Sequence, residues 1–216
     1  MPQRRSEAFW LRPLEKGDFS PMADWFQNVT DLARFDRSVR FPFNSADMEA
    51  SWGQAAGAAK EPGRQWFAIT AETGELCGIT GLECVSAVNR DAVIALFIEE
   101  SRRRQGIGIR SMALVLDFAF RQIGLNRVTS YYRADNPRSQ QITSRTGFTT
   151  EGTMREAWFA NGRYYDMICV GLLRSEWNTC REALARELET SRTAGFRGSG
   201  NSGWAWPPGP QDPPDG

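Results

Sequence analysis

The chain has 216 residues, a length that suits one domain with room for a tail. Lys+Arg and Asp+Glu both number 26, so the net charge is zero and no general attraction to nucleic acid or an anionic membrane is expected. Histidine is absent, which excludes histidine-dependent triads and HExxH metalloproteases.

Taken in order, Met1 to Glu7 carries charge with no apolar run long enough for a signal peptide. Phe9 to Leu14 reads as a first strand ended by Pro13, and two amphipathic helical stretches follow, near Phe19 to Gln27 and Ala46 to Ala59. Gln65 to Ala71, Leu76 to Val85 and Asp91 to Ile98 are strand-like runs with turn signals at Thr73-Gly74 and Asn89-Arg90. Short connections predict an antiparallel meander. The period then changes: Ile109, Met112, Val115, Leu116, Ala119, Phe120 and Ile123 predict a helix that Gly124 ends. Arg127 to Tyr132 reads as a strand and Pro137 to Arg145 as a short helix. A hairpin turning at Asn161-Gly162 joins Glu151 to Phe159 with Tyr164 to Leu173.

Glu176 to Glu189 has Trp177, Cys180, Leu184 and Leu188 at helical spacing. Residues 191–216 are rich in Gly, Pro and Ser and are expected to be disordered. The division is therefore an extension over 1–8, one domain over 9–175, a helix over 176–190 and the tail. Cys77, Cys84, Cys169 and Cys180 form no CxxC pair and are expected to be buried free thiols in a reducing cytoplasm. No run approaches the roughly 20 apolar residues of a membrane span.

Arg103-Arg104-Gln105-Gly106-Ile107-Gly108 lies between a strand and the long helix. Glycines let the chain turn tightly. The unpaired N–H groups of the first helical turn, which includes Ile109, point where the helix dipole is positive. Together with the arginines they suit a pyrophosphate. The spacing matches neither GxxxxGK[ST] nor GxGxxG. The bland alternative is a glycine turn beside solvated arginines.

Arg103 to Gly108 resembles the R/Q-x-x-G-x-G/A signature of the GNAT acyltransferase superfamily. Asp135-Asn136-Pro137-Arg138-Ser139, Gly147 to Gly152, Asn161 to Asp166, and Leu11 to Leu14 with Asp18 and Trp25 resemble its branch that acetylates ribosomal-protein N-termini. The resemblance covers Phe9 to Leu173. It implies a mixed, mostly antiparallel sheet flanked by helices, with two central strands splayed in a V. Acetyl-coenzyme A would enter the splay, its pantetheine arm meeting backbone at Phe97, Ile98 and Glu99 and the side chain of Asn136.

The implied chemistry is attack of a primary amine on the thioester carbonyl. The amine would belong to a small molecule or a peptide; the enzyme would use no metal and act in the cytoplasm as a monomer or homodimer. Many relatives place a tyrosine acid where this chain has Thr143; in the ribosomal-protein branch a serine serves, and Ser139 stands at its position. A glutamate base is proposed for that branch where this chain has Trp158, which leaves Glu83 and Glu156 as candidates beside water-mediated deprotonation of an already neutral amine. Phe41, Trp158 and Tyr164, with Phe43, Trp52 and Phe159, suggest an aromatic acceptor pocket. The runner-up reading is a catalytically silent acyl-CoA sensor.

Overall fold

Phe9 and Leu11 are buried on alternate positions of β1 (Ala8–Pro13), as expected of a strand with one face on a core. The computed structural model describes residues 8–38, 42–56, 63–188, 193–197 and 204–208. β1 pairs antiparallel with β2 (Gln65–Ala71), β2 with β3 (Leu76–Ser86) and β3 with β4 (Asp91–Ile98), so the predicted meander is present. β5 (Arg127–Arg133) runs parallel to β4 and antiparallel to β7 (Arg163–Leu173), which carries β6 (Thr149–Ala160) at the sheet edge. Asn161 and Gly162 at the hairpin tip have φ of 52° and 75°, the two positive values a type I′ turn demands.

Each face of the sheet has its own core. On one side α1 (Phe19–Trp25), α2 (Val29–Phe35) and α3 (Ser45–Ala56) press Met22, Phe26, Leu32 and Trp52 onto Trp66, Ile79 and Phe97. α2 was not expected; its seven residues follow the N-cap Asn28, whose side chain accepts the Asp31 N–H. On the other side lies α4 (Ile107–Asp117), mostly apolar and buried at ten of eleven positions. It continues as a π-helical turn through Ile123 and stops at Gly124 in the left-handed region, the stop predicted for it. α5 (Pro137–Arg145) and α6 (Arg174–Glu187) complete that face. The buried Asp117 carboxylate accepts from Trp177 Nε1 at 3.1 Å and Arg181 Nε at 2.6 Å, fastening α4 to α6. Removing either partner would leave a buried polar group uncompensated, which is strongly destabilising.

The expectation of disorder from 191 onward is corrected at two described segments. Thr193–Phe196 forms β8, parallel to β1, and Ala205–Trp206 forms β9, antiparallel to β8, giving a nine-stranded sheet of order β6-β7-β5-β4-β3-β2-β1-β8-β9. The reason is aromatic. Trp206 is fully buried with its ring 5.2 Å from Trp177, while Phe196 packs on Phe67 and Phe118. A polar composition therefore concealed two anchors large enough to order short strands. The four cysteines are free, but Cys77 alone is buried; Cys84 is exposed because it sits at φ 53° in a β3–β4 irregularity near the sheet end. Among the described residues no helix is long and apolar enough to cross a membrane.

Candidate active site

β4 and β5 share a ladder only at Asp91, Ala92 and Val93, opposite Arg127, Val128 and Thr129. Beyond these the strands part, with one side-chain link, Ser130 Oγ to Ile94 O at 3.1 Å. The gap is a cleft of about 640 Å³ whose floor includes Ile94 to Ile98, Ser130 and Tyr131. Glu99 N–H pairs with Cys77 O across β3, so Phe97, two residues back, turns its backbone the same way. Leu96 and Ile98 then present theirs to the gap. This refines the expected pantetheine contacts: Ile98 is suitably placed, whereas Phe97 and Glu99 spend their backbone groups within the sheet side of β4. Phe97 lines the cleft; Glu99 does not. Its carboxylate instead caps the turn that follows. Burial opposes the charge on Glu99, but hydrogen bonds from Ser101 and the Arg102 N–H, with Arg103 nearby, hold it below the usual carboxylate range.

The chain then curls into α4. Arg104 and Gly106 have φ of 61° and 75°. The first intrahelical bond is Arg110 N to Gly106 O, so the N–H groups of Ile107, Gly108 and Ile109 have no partner within α4. All three residues line the cleft, with Arg103, Arg104 and Gly106; Gln105 does not. Gly106 has no room for a Cβ, which would collide with Arg110 Nη1. Arg110, buried at the helix start, donates to Gly106 O and to Leu188 O. At Gly108 a Cβ would come within 3.3 Å of Ile142 and Leu96, where α4, α5 and β4 converge. The loop is thus built for close approach of backbone to a ligand.

Its arginines differ. Arg103 faces inward: Nε donates to Ile98 O at 2.8 Å, and Nη2 lies 2.7 Å from Asp31 Oδ2. Arg102 pairs with Glu75, and Arg145 with Glu187. Arg104 and Arg138 line the cleft without an ion pair among the described residues. The opposite wall comes from Asp31, Arg34 and Phe35 of α2, which sequence reasoning missed. The available signal was Asn28 three residues ahead of Asp31, an N-cap spacing.

Asn136 and Ser139 also line the cleft. Asn136 caps α5 by accepting the Ser139 N–H at 3.2 Å, ahead of Pro137 in the first turn. Ser139 is half-buried, and its hydroxyl makes no hydrogen bond among the described residues. Thr143 donates to Ser139 O at 2.9 Å, so its own hydroxyl is occupied.

The other described candidates stand away from the cleft. Glu83 lies outside the cleft, its Oε1 accepting from Arg64 at 2.8 Å and from Trp66 Nε1 at 3.0 Å. Glu156 projects from a β6 bulge at φ 52°, its N–H bonded to Asp166, and faces a separate shallow hollow on the hairpin. Trp158 is a buried strut, because its indole N–H donates to Ala33 O of α2 at 2.8 Å. Tyr164 stands exposed at the hairpin tip against Phe159. Phe41 lies outside the described residues. The carboxylates that do line the cleft, Asp31 and Asp135, are both ion-paired, to Arg103 and to Arg133.

A family model described as the acetyltransferase (GNAT) domain matches residues 9–149, from β1 to the start of β6. The chain belongs to the GNAT family. The GNAT chain is 33% identical over 104 residues to YdaF of Bacillus subtilis, whose name places it with ribosomal N-acetyltransferases; the match covers 48% of this chain and 57% of that protein. The ribosomal-protein-serine acetyltransferase of Escherichia coli is 31% identical over 93 residues, 43% of this chain and 52% of the relative. The chain thus spans little more than half the length of these curated relatives. The spermidine N-acetyltransferase of Vibrio cholerae, solved with CoA and spermine, superposes with a TM-score of 0.70 at 22% identity, over 78% of this chain and 97% of that one. The fold is the GNAT fold, and its V-shaped splay is the β4–β5 gap.

Proposed function

We propose that this GNAT chain moves an acetyl group from acetyl-coenzyme A to a primary amine by direct attack. The observation that carries the reading is the junction of two features: an unpaired stretch of β4 and the α4 N-terminus, whose free N–H groups open into the same cleft. A pantetheine amide would pair with Leu96 and with the Ile98 N–H as an added strand would, the Ile98 carbonyl being held by Arg103. Three phosphate-facing N–H groups, with Arg104 and Arg138, would hold the pyrophosphate end. Asn136 stands where it can contact the same arm while capping α5.

In the proposed reaction the amine nitrogen bonds to the acetyl carbon, and the thiolate departs and takes a proton. Ser139, with an uncommitted hydroxyl, is proposed to pass that proton to the thiolate and to be reprotonated by the water that takes the proton from the amine. No unpaired carboxylate lines the cleft among the described residues. The acceptor is therefore proposed to arrive as the neutral amine and to lose its proton to water. Both a protein α-amine and a small-molecule amine fit this reading; the relatives' names support both classes. Free thiols on all four cysteines fit a reducing cytoplasm.

The test is calorimetric titration of acetyl-coenzyme A, then thiol release with Ser-initiated peptides, spermidine and a small aromatic amine. Turnover with any of them, reduced roughly 10²-fold by Ser139→Ala, supports the assignment. Absence of acetyl-coenzyme A binding overturns it. The lack of an unpaired carboxylate favours one second reading, an acyl-CoA sensor, for which binding persists and every amine stays unacetylated.

A further inference from the structure

The arginine that opens the glycine loop does not point at the cleft's free N–H groups. Arg103 is 14% exposed and Asp31 11%, and two contacts, at 3.3 and 2.7 Å, join the guanidinium to the carboxylate. Its Nε holds the carbonyl of Ile98, the last residue of β4, and its plane lies over Phe97 at 5.6 Å. One side chain therefore touches the end of β4, the loop that carries it and α2.

α2 has seven residues, too few to be stable alone. Its C-terminal half is held from the hairpin side: Ala33 O accepts from Trp158 Nε1 and from Arg133 Nη1. Its N-terminal half is held by Asp31 to Arg103. α2 packs on the sheet face opposite α4 and α5, and its Asp31, Arg34 and Phe35 line the same cleft as the loop.

We propose that Arg103 and Asp31 are positioning residues that transmit occupancy of the loop to α2, the cleft wall that faces it. The proposal rests on the acetyl-coenzyme A reading above. A ligand gripping residues 104–109 fixes the loop, the loop fixes Arg103, and Arg103 fixes the helix that carries Arg34 and Phe35.

Hydrogen exchange read by mass spectrometry, with coenzyme A as the probe, tests this without knowing the acceptor. In the wild type, coenzyme A should slow exchange in two segments, residues 103–112 and residues 29–35. In Asp31→Asn the first protection should persist and the second should be lost. Arg103→Gln should do the same, and supplies the answer if the aspartate variant fails to fold. A merely structural ion pair would loosen α2 in the free variants yet leave the ligand-induced change in 29–35 intact, and that result overturns the proposal. Loss of protection at 103–112 in Arg103→Gln, with coenzyme A affinity lost in parallel, makes the arginine a ligand contact and also overturns it. Wild type with no protection in either segment refutes the coenzyme reading itself; protection at 103–112 alone refutes only the link.

Discussion

Gly106 and Gly162 share the same φ, 75°, but differ in surroundings, and the pair separates backbone strain from a built contact. Alanine in the left-handed region costs roughly 1–2 kcal/mol at either position. At Gly162, on the hairpin tip, nothing lies within 4 Å of the added methyl, so Gly162→Ala should lose about that and no more. At Gly106 the methyl collides with Arg110 Nη1, and the guanidinium that must give way is buried and bonded to Gly106 O and Leu188 O at 3.1 and 3.0 Å. A charge-assisted hydrogen bond contributes about 1.5–3 kcal/mol, so breaking one of these brings Gly106→Ala to roughly 2.5–5 kcal/mol. Urea unfolding at matched slope measures both losses. Displacing the first turn of α4 should also weaken acetyl-coenzyme A in calorimetry by about tenfold or more, which corresponds to 1.4 kcal/mol, whereas Gly162→Ala should bind normally. Equal stability losses and equal affinities in the two variants would refute the assignment of the cradle to this loop.

Trp206→Ala should destabilise the chain by roughly 3–5 kcal/mol, since a fully buried indole leaves a cavity against Trp177 and Arg181; a thermal shift equivalent to under about 1 kcal/mol would show the tail strands to be marginal. The Glu99 carboxyl is held below its ordinary range when folded, so its stabilisation is fully present above the unfolded value and fades as pH falls through the folded one. Glu99→Gln should therefore narrow the gap in urea midpoint between neutral pH and about pH 3; an unchanged gap would remove Glu99 from the acid response. Burial raises the thiols of Cys77, Cys169 and Cys180, while Cys84 is exposed. Ellman's reagent should show one fast thiol on the native protein, absent from Cys84→Ser; a surviving fast phase would place the reactive sulfur elsewhere.

What could be read from residues alone followed chemical necessity. Gly106 was legible because a glycine between an arginine pair and an apolar helix has few other uses, and the structure shows the space it protects. Asn161-Gly162 was legible because two positive φ values leave few alternatives. The splay was not: the Val93 to Ile98 run looks like any buried strand, and the resemblance to a family supplied that feature. Trp158 misled because indole suits a pocket and a core equally; its partner, Ala33 O, belongs to α2, a helix whose seven residues carry too little periodic signal to announce it. Glu83 and Glu156 were candidates by elimination, and elimination says nothing about the Arg64 and Asp166 contacts that engage them. The tail misled through averaging, since glycine and proline diluted Trp206 and Phe196, which pack.

The parting of β4 from β5 also has a mechanical meaning. Three paired positions, the Asn126 and Arg127 N–H bonds to Arg90 O beside them and the Ser130 hydroxyl join the strands at one end of that seam, so the sheet is two leaves, one of β1–β4 with β8 and β9, the other of β5–β7. Each leaf has its own dense pairing, while the seam lacks the backbone bonds that make a sheet unfold as one. A molecule lying along Leu96 and Ile98 would act as a splint, restoring the missing rungs and joining the leaves. The empty protein should then open first along this line, and the ligand's largest effect on rigidity should fall on the fit of one leaf against the other.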